Sequence, residues 1–248
     1  MRGLLLLAVI FIANFLQGVT GFAGAFITMP PAIHLVGVED ARIIVAVMAQ
    51  VSGAMVVLTG FRHINWRECL KMLFWNILGT IGGLWIFDSV NLTILLILYG
   101  ILIIGIALKN LIVLFRGEAE NDRLKRRFEI DVKSPWMILL MLASGVLNGV
   151  FLSGGALLVV YAAKALPQKE EMRSTLSFLW IILAGFISVP AAFAGEFTPQ
   201  VLMICGGGVI LLFLATWAGT KVMQRISQKT FMKITYALLL VSGIVVFL

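Results

Sequence analysis

The chain has 248 residues, 61% hydrophobic and only 12% charged, with a mean hydropathy of +1.06. A soluble domain carries about twice that charged fraction, so a water-soluble globular or disordered protein is excluded. The net charge of +7 comes from basic residues gathered between apolar runs, which reflects membrane topology rather than nucleic-acid binding.

The charge-free runs are 3–38, 43–61, 72–87, 89–108, 134–163, 174–195, 197–220 and 234–248. Several reach or approach the roughly 20 residues that cross a hydrocarbon core. They predict an all-α, polytopic membrane protein in contact with the lipid bilayer. No soluble domain is expected, because the longest polar segment is 116–134. Cys69 and Cys205 form no metal-type pair, and no cofactor is expected. The start, "MRGLLLLAVIFIANF", has the look of a signal peptide, but the apolar run continues past any cleavage point and is read as a retained membrane segment.

The first run carries "NFLQGVTGFAGAFITMPP" (14–31), with Gly18, Gly21, Gly24, Pro30 and Pro31 inside it. These residues predict a broken helix that turns back within the membrane. Asn14 and Gln17 precede the break one turn apart, where they either line a site or tie helices together. Thr20 adds a neutral donor there. His34 lies near the outer mouth and is expected to be structural. Run 43–61 follows Arg42 and contains the lone amide Gln50, with the same two readings as Asn14. In run 72–87, Asn76 is expected to make a helix–helix contact. Gly79, Gly82 and Gly83 are expected to be packing positions, as are Gly206, Gly207 and Gly208 later. Trp66, Trp136 and Trp217 fall near span ends and read as interface anchors.

Four loops hold nearly all the basic residues: Arg62 to Lys71, Lys109 to Lys133, Lys164 to Arg173 and Lys221 to Lys233. Only Arg2 and Arg42 lie elsewhere, and the loops at Asp88 and Glu196 hold none. The positive-inside rule places the four groups in the cytoplasm. Run 134–163 must then begin and end on that side. Its helical length of about 45 Å suffices for two short legs of about 22 Å. By the same parity, segment 3–38 begins and ends outside, and both termini are extracytoplasmic.

The two halves read as a repeat: 1–115, a cytoplasmic linker 116–134, and 135–248. "GVTGFAGAFI" (18–27) faces "GVLNGVFLSGGALL" (145–158), and "ARIIVAV" (41–47) faces "MRSTLSF" (172–178), which sets Arg42 opposite Arg173. Each half is a glycine-broken hairpin followed by three spans, so the second enters the membrane inverted. Inverted repeats with paired broken helices are an architecture of secondary transporters, with the substrate at the breaks.

These features, with "GFRHINW" (60–66) and "ALLLVSGIVVFL" (237–248), resemble the sulfite exporter TauE/SafE family over nearly the whole chain. The resemblance implies a two-repeat helical carrier that moves small anions, commonly sulfite or organosulfonates, out of or across the bacterial inner membrane. At the first break Ala25 stands where the family often continues a run of glycines.

Broken helices suit an anion. A helix N-terminus presents unpaired N–H groups and about half a positive charge, and glycine allows close approach. Gly21, Gly24, Gly149, Gly154 and Gly155 are the expected cavity, with Thr20, Asn148 and Ser153 as neutral donors. Glycines there also serve close packing, but Pro30 and Asn148 weigh against helix continuity. Arg42 and Arg173 either draw the anion into opposite vestibules or snorkel to the interface. An intramembrane enzyme is disfavoured, since no Asp or Glu lies in any run. An anion channel and a non-transporting assembly subunit remain as rival readings. The missing carboxylates favour export driven by the membrane potential or the anion's own gradient. The exact anion and the oligomeric state are not legible.

Overall fold

The structure is a computed structural model that describes residues 2–86, 92–115, 134–151 and 155–245. The regular elements among them are helices: α1 (Arg2–Thr20), α2 (Ala23–Val36), α3 (Val38–Gly60), a 3₁₀ turn (Phe61–His63), α4 (Trp66–Ile86), α5 (Leu92–Phe115), α6 (Pro135–Phe151), α7 (Gly155–Ala165), α8 (Lys169–Phe193), α9 (Pro199–Arg225) and α10 (Gln228–Val245). The expected linker lies outside the described residues except for Ser134, and so do Ser153 and Gly154. Among the described residues, Val38–His63, Lys169–Phe193 and Pro199–Arg225 are long and apolar enough to cross a membrane. Large apolar side chains such as Leu58, Trp85, Phe193 and Ile210 face outward. Such an exterior suits lipid, not water. Trp66, Trp136 and Trp217, expected as interface anchors, are also exposed.

The helices run past the charge-free segments because caps, not charges, set their ends. Glu39 and Asp40 occupy the first turn of α3, where acidic groups oppose the positive helix end. Thr198 Oγ1 accepts from the Val201 N–H at 3.2 Å, with Pro199 at the first position of α9. At the other end of α9, Lys169 Nζ donates to the carbonyls of Met223 (3.0 Å) and Ile226 (2.7 Å). A cation bonded to terminal carbonyls complements the negative end of the dipole.

The first run is interrupted, as the glycines predict. The break falls at Gly21 and Phe22. Gly21 has φ +83°, and its N–H closes α1 on the Gln17 carbonyl at 2.7 Å. Pro30 and Pro31 correct the expectation, because they lie inside α2 and do not end it. Each proline withholds one backbone donor. Packing around a membrane helix tolerates that loss better than water does. The chain turns again at Gly37, φ +89°.

Two compact units result, each drawn from both halves of the sequence. One comprises Met1–Leu73 and Gln168–Ile226; the other comprises Phe74–Pro167 and Ser227–Leu248. In the first, α1 packs on α9, α3 on α8 and α9, and α2 lies against α1 and α3. In the second, α10 packs on α5, and α6 on α7.

One contact recurs in both units. In the first, α1 meets α9 backbone to backbone: a β-carbon on Gly18 would lie 2.6 Å from the Thr216 carbonyl oxygen and 3.2 Å from Gly219 Cα. One on Gly219 would collide with the Phe15 carbonyl oxygen. In the second, a β-carbon on Gly145 of α6 would collide with the Asn76 carbonyl oxygen of α4 and lie 2.8 Å from Gly79 Cα. One on Gly79 would collide with the Leu142 carbonyl oxygen. Phe15, Gly18 and Val19 thus correspond to Leu142, Gly145 and Val146, and Thr216 and Gly219 to Asn76 and Gly79. Small residues let apolar helices gain van der Waals contact without a hydrophobic drive. Gly18 and Gly145 are also the first residues of the two matched glycine segments. The two matched glycine segments therefore have a counterpart in packing, and α1 and α6 each find a partner in the other half of the chain.

Of the other glycines expected to pack, Gly83 meets the Val146 backbone and Gly208 meets Met48 and Ile10, while Gly82 and Gly206 face open space. Asn76 makes the expected helix–helix contact, accepting from Ser144 Oγ at 3.1 Å.

Candidate functional site at the first helix interruption

The break between α1 and α2 is not left bare. Gln17, one turn before it, reaches across: its Oε1 accepts from the Gly24 N–H at 2.8 Å, and its Nε2 donates to the Gly21 carbonyl at 3.3 Å. One orphan donor at the start of α2 is thereby capped from the preceding helix. A β-carbon on Gly24 would lie 3.2 Å from both Gln17 Cβ and Oε1, so the missing side chain makes room for the glutamine. Free approach of an anion to the Gly24 amide, expected from the glycines alone, is corrected: Gln17 already holds that donor. Thr20 is buried and donates to the Leu16 carbonyl at 2.8 Å.

Gly21 serves α8. A β-carbon there would lie 2.6 Å from the Arg173 carbonyl oxygen, and its positive φ disfavours any L side chain. Ser177 Oγ donates to the Gly21 carbonyl at 3.4 Å. Arg173 itself is 2% exposed. Its Nε donates to the Gly18 carbonyl at 2.7 Å, and Nη2 donates to Thr220 Oγ1 at 2.6 Å. The Thr220 hydroxyl in turn donates a hydrogen bond to the Thr216 carbonyl at 2.7 Å. The guanidinium therefore sits at the negative end of α1, which offsets part of its desolvation cost. Among the described residues no carboxylate lies within ion-pair distance of it, and it is the one charged side chain in their buried set. A guanidinium has five donors, of which two are engaged here.

Arg42 differs. It lies near the start of α3, half-buried, and its side chain makes no hydrogen bond among the described residues. Gln50, on α3, accepts from Ser188 Oγ of α8 at 3.0 Å, a helix–helix tie. His34 is exposed in the last turn of α2.

Beside the break a pocket of about 10 Å³ lies between α1, α2 and α3, lined by Asn14, Gly24, Ala25, Thr28, Val45, Met48, Ala49 and Ser52. It has room for about one water. Asn14 is buried and donates from Nδ2 to the Ile10 carbonyl at 2.8 Å. Asn14, Gln17, Thr20, Gly21, Gly24, Gln50 and Arg173 thus belong to one unit. Asn148, Gly149 and Gly155, all buried, belong to the other. Sequence reading missed Thr28, Ser52, Ser177, Thr220 and Lys169. Hydroxyls in apolar helices commonly bond their own backbone, so nothing along the chain marks the first four, and Lys169 read only as one of a basic loop.

Described residues that are helical, with an apolar exterior and a buried arginine beside a broken helix, define a polytopic membrane protein. Residues 6–246 match the family model described as Sulfite exporter TauE/SafE. The chain belongs to that family, whose members are membrane transporters rather than enzymes. No curated protein and no solved structure matches the chain.

Proposed function

We propose that this protein is a secondary transporter that exports a small oxyanion, sulfite or an organosulfonate, from the cytoplasm by alternating access at its two helix interruptions. The observation that carries the reading is Arg173. Its hydrogen bonds go to neutral oxygens, and Glu170, one turn earlier, acts on it only from beyond ion-pair distance, so the cation keeps positive potential and its spare donors suit the oxygens of a sulfur oxyanion. Such an anion is larger than the space beside Gly24, so it enters when α1 and α2 part from their neighbours. Rocking of one repeat against the other supplies that motion. The charge pattern and the recurring glycine crossing support an inverted pair of repeats, each a hairpin plus three spans, with both termini extracytoplasmic in the inner membrane. Asn148, Gly149, Ser153, Gly154 and Gly155 supply the second half of the anion site in this reading, and Arg42 draws the anion to the outer vestibule. Moving one negative charge outward gains about 2.3 kcal/mol per 100 mV, which suffices to drive export without a bound acid.

The test is a flux panel in proteoliposomes: sulfite, sulfate, thiosulfate, sulfoacetate and acetate, with the voltage clamped. Saturable counterflow of sulfite or sulfoacetate that follows voltage is expected. Absence of counterflow for every anion ends the reading, and flux that follows the pH gradient at fixed voltage ends its electrical part. Cysteines placed at positions 130 and 170 should both resist impermeant reagents in whole cells. Labelling of one but not the other dissolves the inverted arrangement.

A further inference from the structure

Buried polar groups find partners in folded proteins, and a group without one calls for an explanation. Among the described residues, the buried side-chain donors without a partner are Trp180 Nε1, Thr216 Oγ1 and Thr235 Oγ1. Thr235 lies on α10, in the unit that does not hold Arg173. Trp180 shares a face of α8 with Arg173 but stands two turns further on, a rise of about 10 Å. Thr216 is the one a single turn from the arginine's own partner.

Thr216 is 1% exposed. A threonine in an apolar helix commonly returns its proton to the carbonyl four residues back, as Thr20, Thr28, Thr59 and Thr220 do here. Thr216 makes no such bond to the Leu212 carbonyl, so its hydroxyl proton is unspent. Thr216 and Thr220 lie four apart on α9 and share a flank, with about 5–6 Å between their Cβ atoms. Arg173 Nη2 ends on that flank, at Thr220 Oγ1. Helices α8 and α9 run antiparallel there, since Lys169 meets Met223 and Ile226 while Arg173 meets Thr220. Thr216 is therefore the next position inward along the same flank. Helix α1 closes over it: a β-carbon on Gly18 would lie 3.0 Å from Thr216 Cα. At the other crossing the matching residue is Asn76, and its Oδ1 accepts from Ser144 Oγ at 3.1 Å. The unpartnered group belongs to the crossing that carries the arginine.

Spare guanidinium N–H groups and an unspent hydroxyl one turn away form a set of donors with no protein acceptor. Each hydrogen bond spans about 2.8 Å, so donors at this separation reach two oxygens of one small oxyanion. We propose that Thr216 is an anion-binding residue, whose hydroxyl donates to one substrate oxygen while Arg173 holds another. This rests on the anion-transport reading and deepens it: the cargo carries at least two acceptor oxygens on one centre. Movement of α1 away from α9 uncovers the hydroxyl, and the anion then relieves a buried donor that the closed state leaves unsatisfied.

The test uses the purified full chain in detergent. The Kd for sulfite and for sulfoacetate is measured by calorimetry, and Tm is measured without anion. Thr216→Val keeps the shape and deletes the hydroxyl. It should weaken both anions roughly tenfold or more, as loss of a hydrogen bond to a charge does. Its Tm without anion should rise by about 2 °C, because a buried unsatisfied group is gone. Thr216→Ser keeps the hydroxyl and should bind as wild type does. Thr235→Val deletes the hydroxyl of the other unit and should raise Tm alike with anion affinity unchanged. Wild-type affinity in Thr216→Val overturns the proposal and leaves the transport reading standing. An equal loss of affinity in Thr235→Val overturns it too, as does a lowered Tm in Thr216→Val, which would give the hydroxyl a structural role. Failure of wild-type protein to bind either anion ends both readings together.

Discussion

At the crossing of α6 and α4, the hydroxyl of Thr80 donates to the Gly145 carbonyl at 3.2 Å. At the matching crossing of α1 and α9, the corresponding carbonyl is that of Gly18 and the corresponding hydroxyl is that of Thr220. There the two do not meet: Arg173 stands between them, with Nε on Gly18 at 2.7 Å and Nη2 on Thr220 at 2.6 Å. Thr220 turns to the Thr216 carbonyl instead. The backbones are packed alike, so packing alone does not call for the arginine. A neutral hydrogen bond suffices at one crossing, whereas the other bears the desolvation cost of a buried cation. Under the proposed function, the surplus charge is what the crossing beside the interruption offers an anion and the other crossing does not.

The largest expected effect comes from removing that charge. Arg173→Gln should lower anion flux at least a hundredfold while the protein still purifies as a single species. Arg173→Lys, which keeps the charge but loses the planar fork, should retain part of the activity. Wild-type flux in Arg173→Gln would reduce the comparison to a matter of packing.

Gly18→Ala and Gly145→Ala test the shared part. Each pushes a methyl into a facing backbone, and overpacking of this kind costs about 1–3 kcal/mol, so both variants should melt several degrees lower. Only Gly18→Ala, which displaces the carbonyl that holds Arg173, should also change the KM for sulfite. Equal KM changes in both variants would erase the distinction between the crossings.

Gln17→Ala should act more weakly. It uncaps the start of α2 at a cost of about 1 kcal/mol, and amide exchange across residues 21–26 should accelerate. Unchanged exchange would mean that the glutamine bridge does not hold the break. Thr80→Val is expected to do least. It removes one neutral bond worth about 0.5 kcal/mol, because the Gly145 carbonyl remains in the α6 ladder. Flux should be unaffected, and a loss comparable to that of the Arg173 variants would show that the second crossing is functional too.

Glycine spacing located the first interruption, because a positive φ at Gly21 and a close approach by α8 both require the absence of a side chain. It did not reveal that the room at Gly24 is taken by Gln17. Prolines misled at positions 30 and 31, where a missing backbone donor weakens a helix without ending it. Arg173 stood out as a residue at a helix start, but its position along the chain suggested a mouth of the passage. Its place is the end of α1, more than 150 residues earlier. Arg42, its partner by alignment, has no such surroundings.

Composition, charge spacing and glycine spacing determined by themselves that this protein is helical and lies in a membrane, and where its first apolar run is broken. Those properties follow from how each segment meets lipid and water, a matter of local residues. Tertiary structure alone decided which helix lies against which. It exchanged partners between the halves, set Arg173 against Gly18, and gathered Asn14, Thr28 and Ser52 around one small space. Such contacts depend on surfaces that meet only when distant helices pack, and no spacing along a single chain encodes them in readable form.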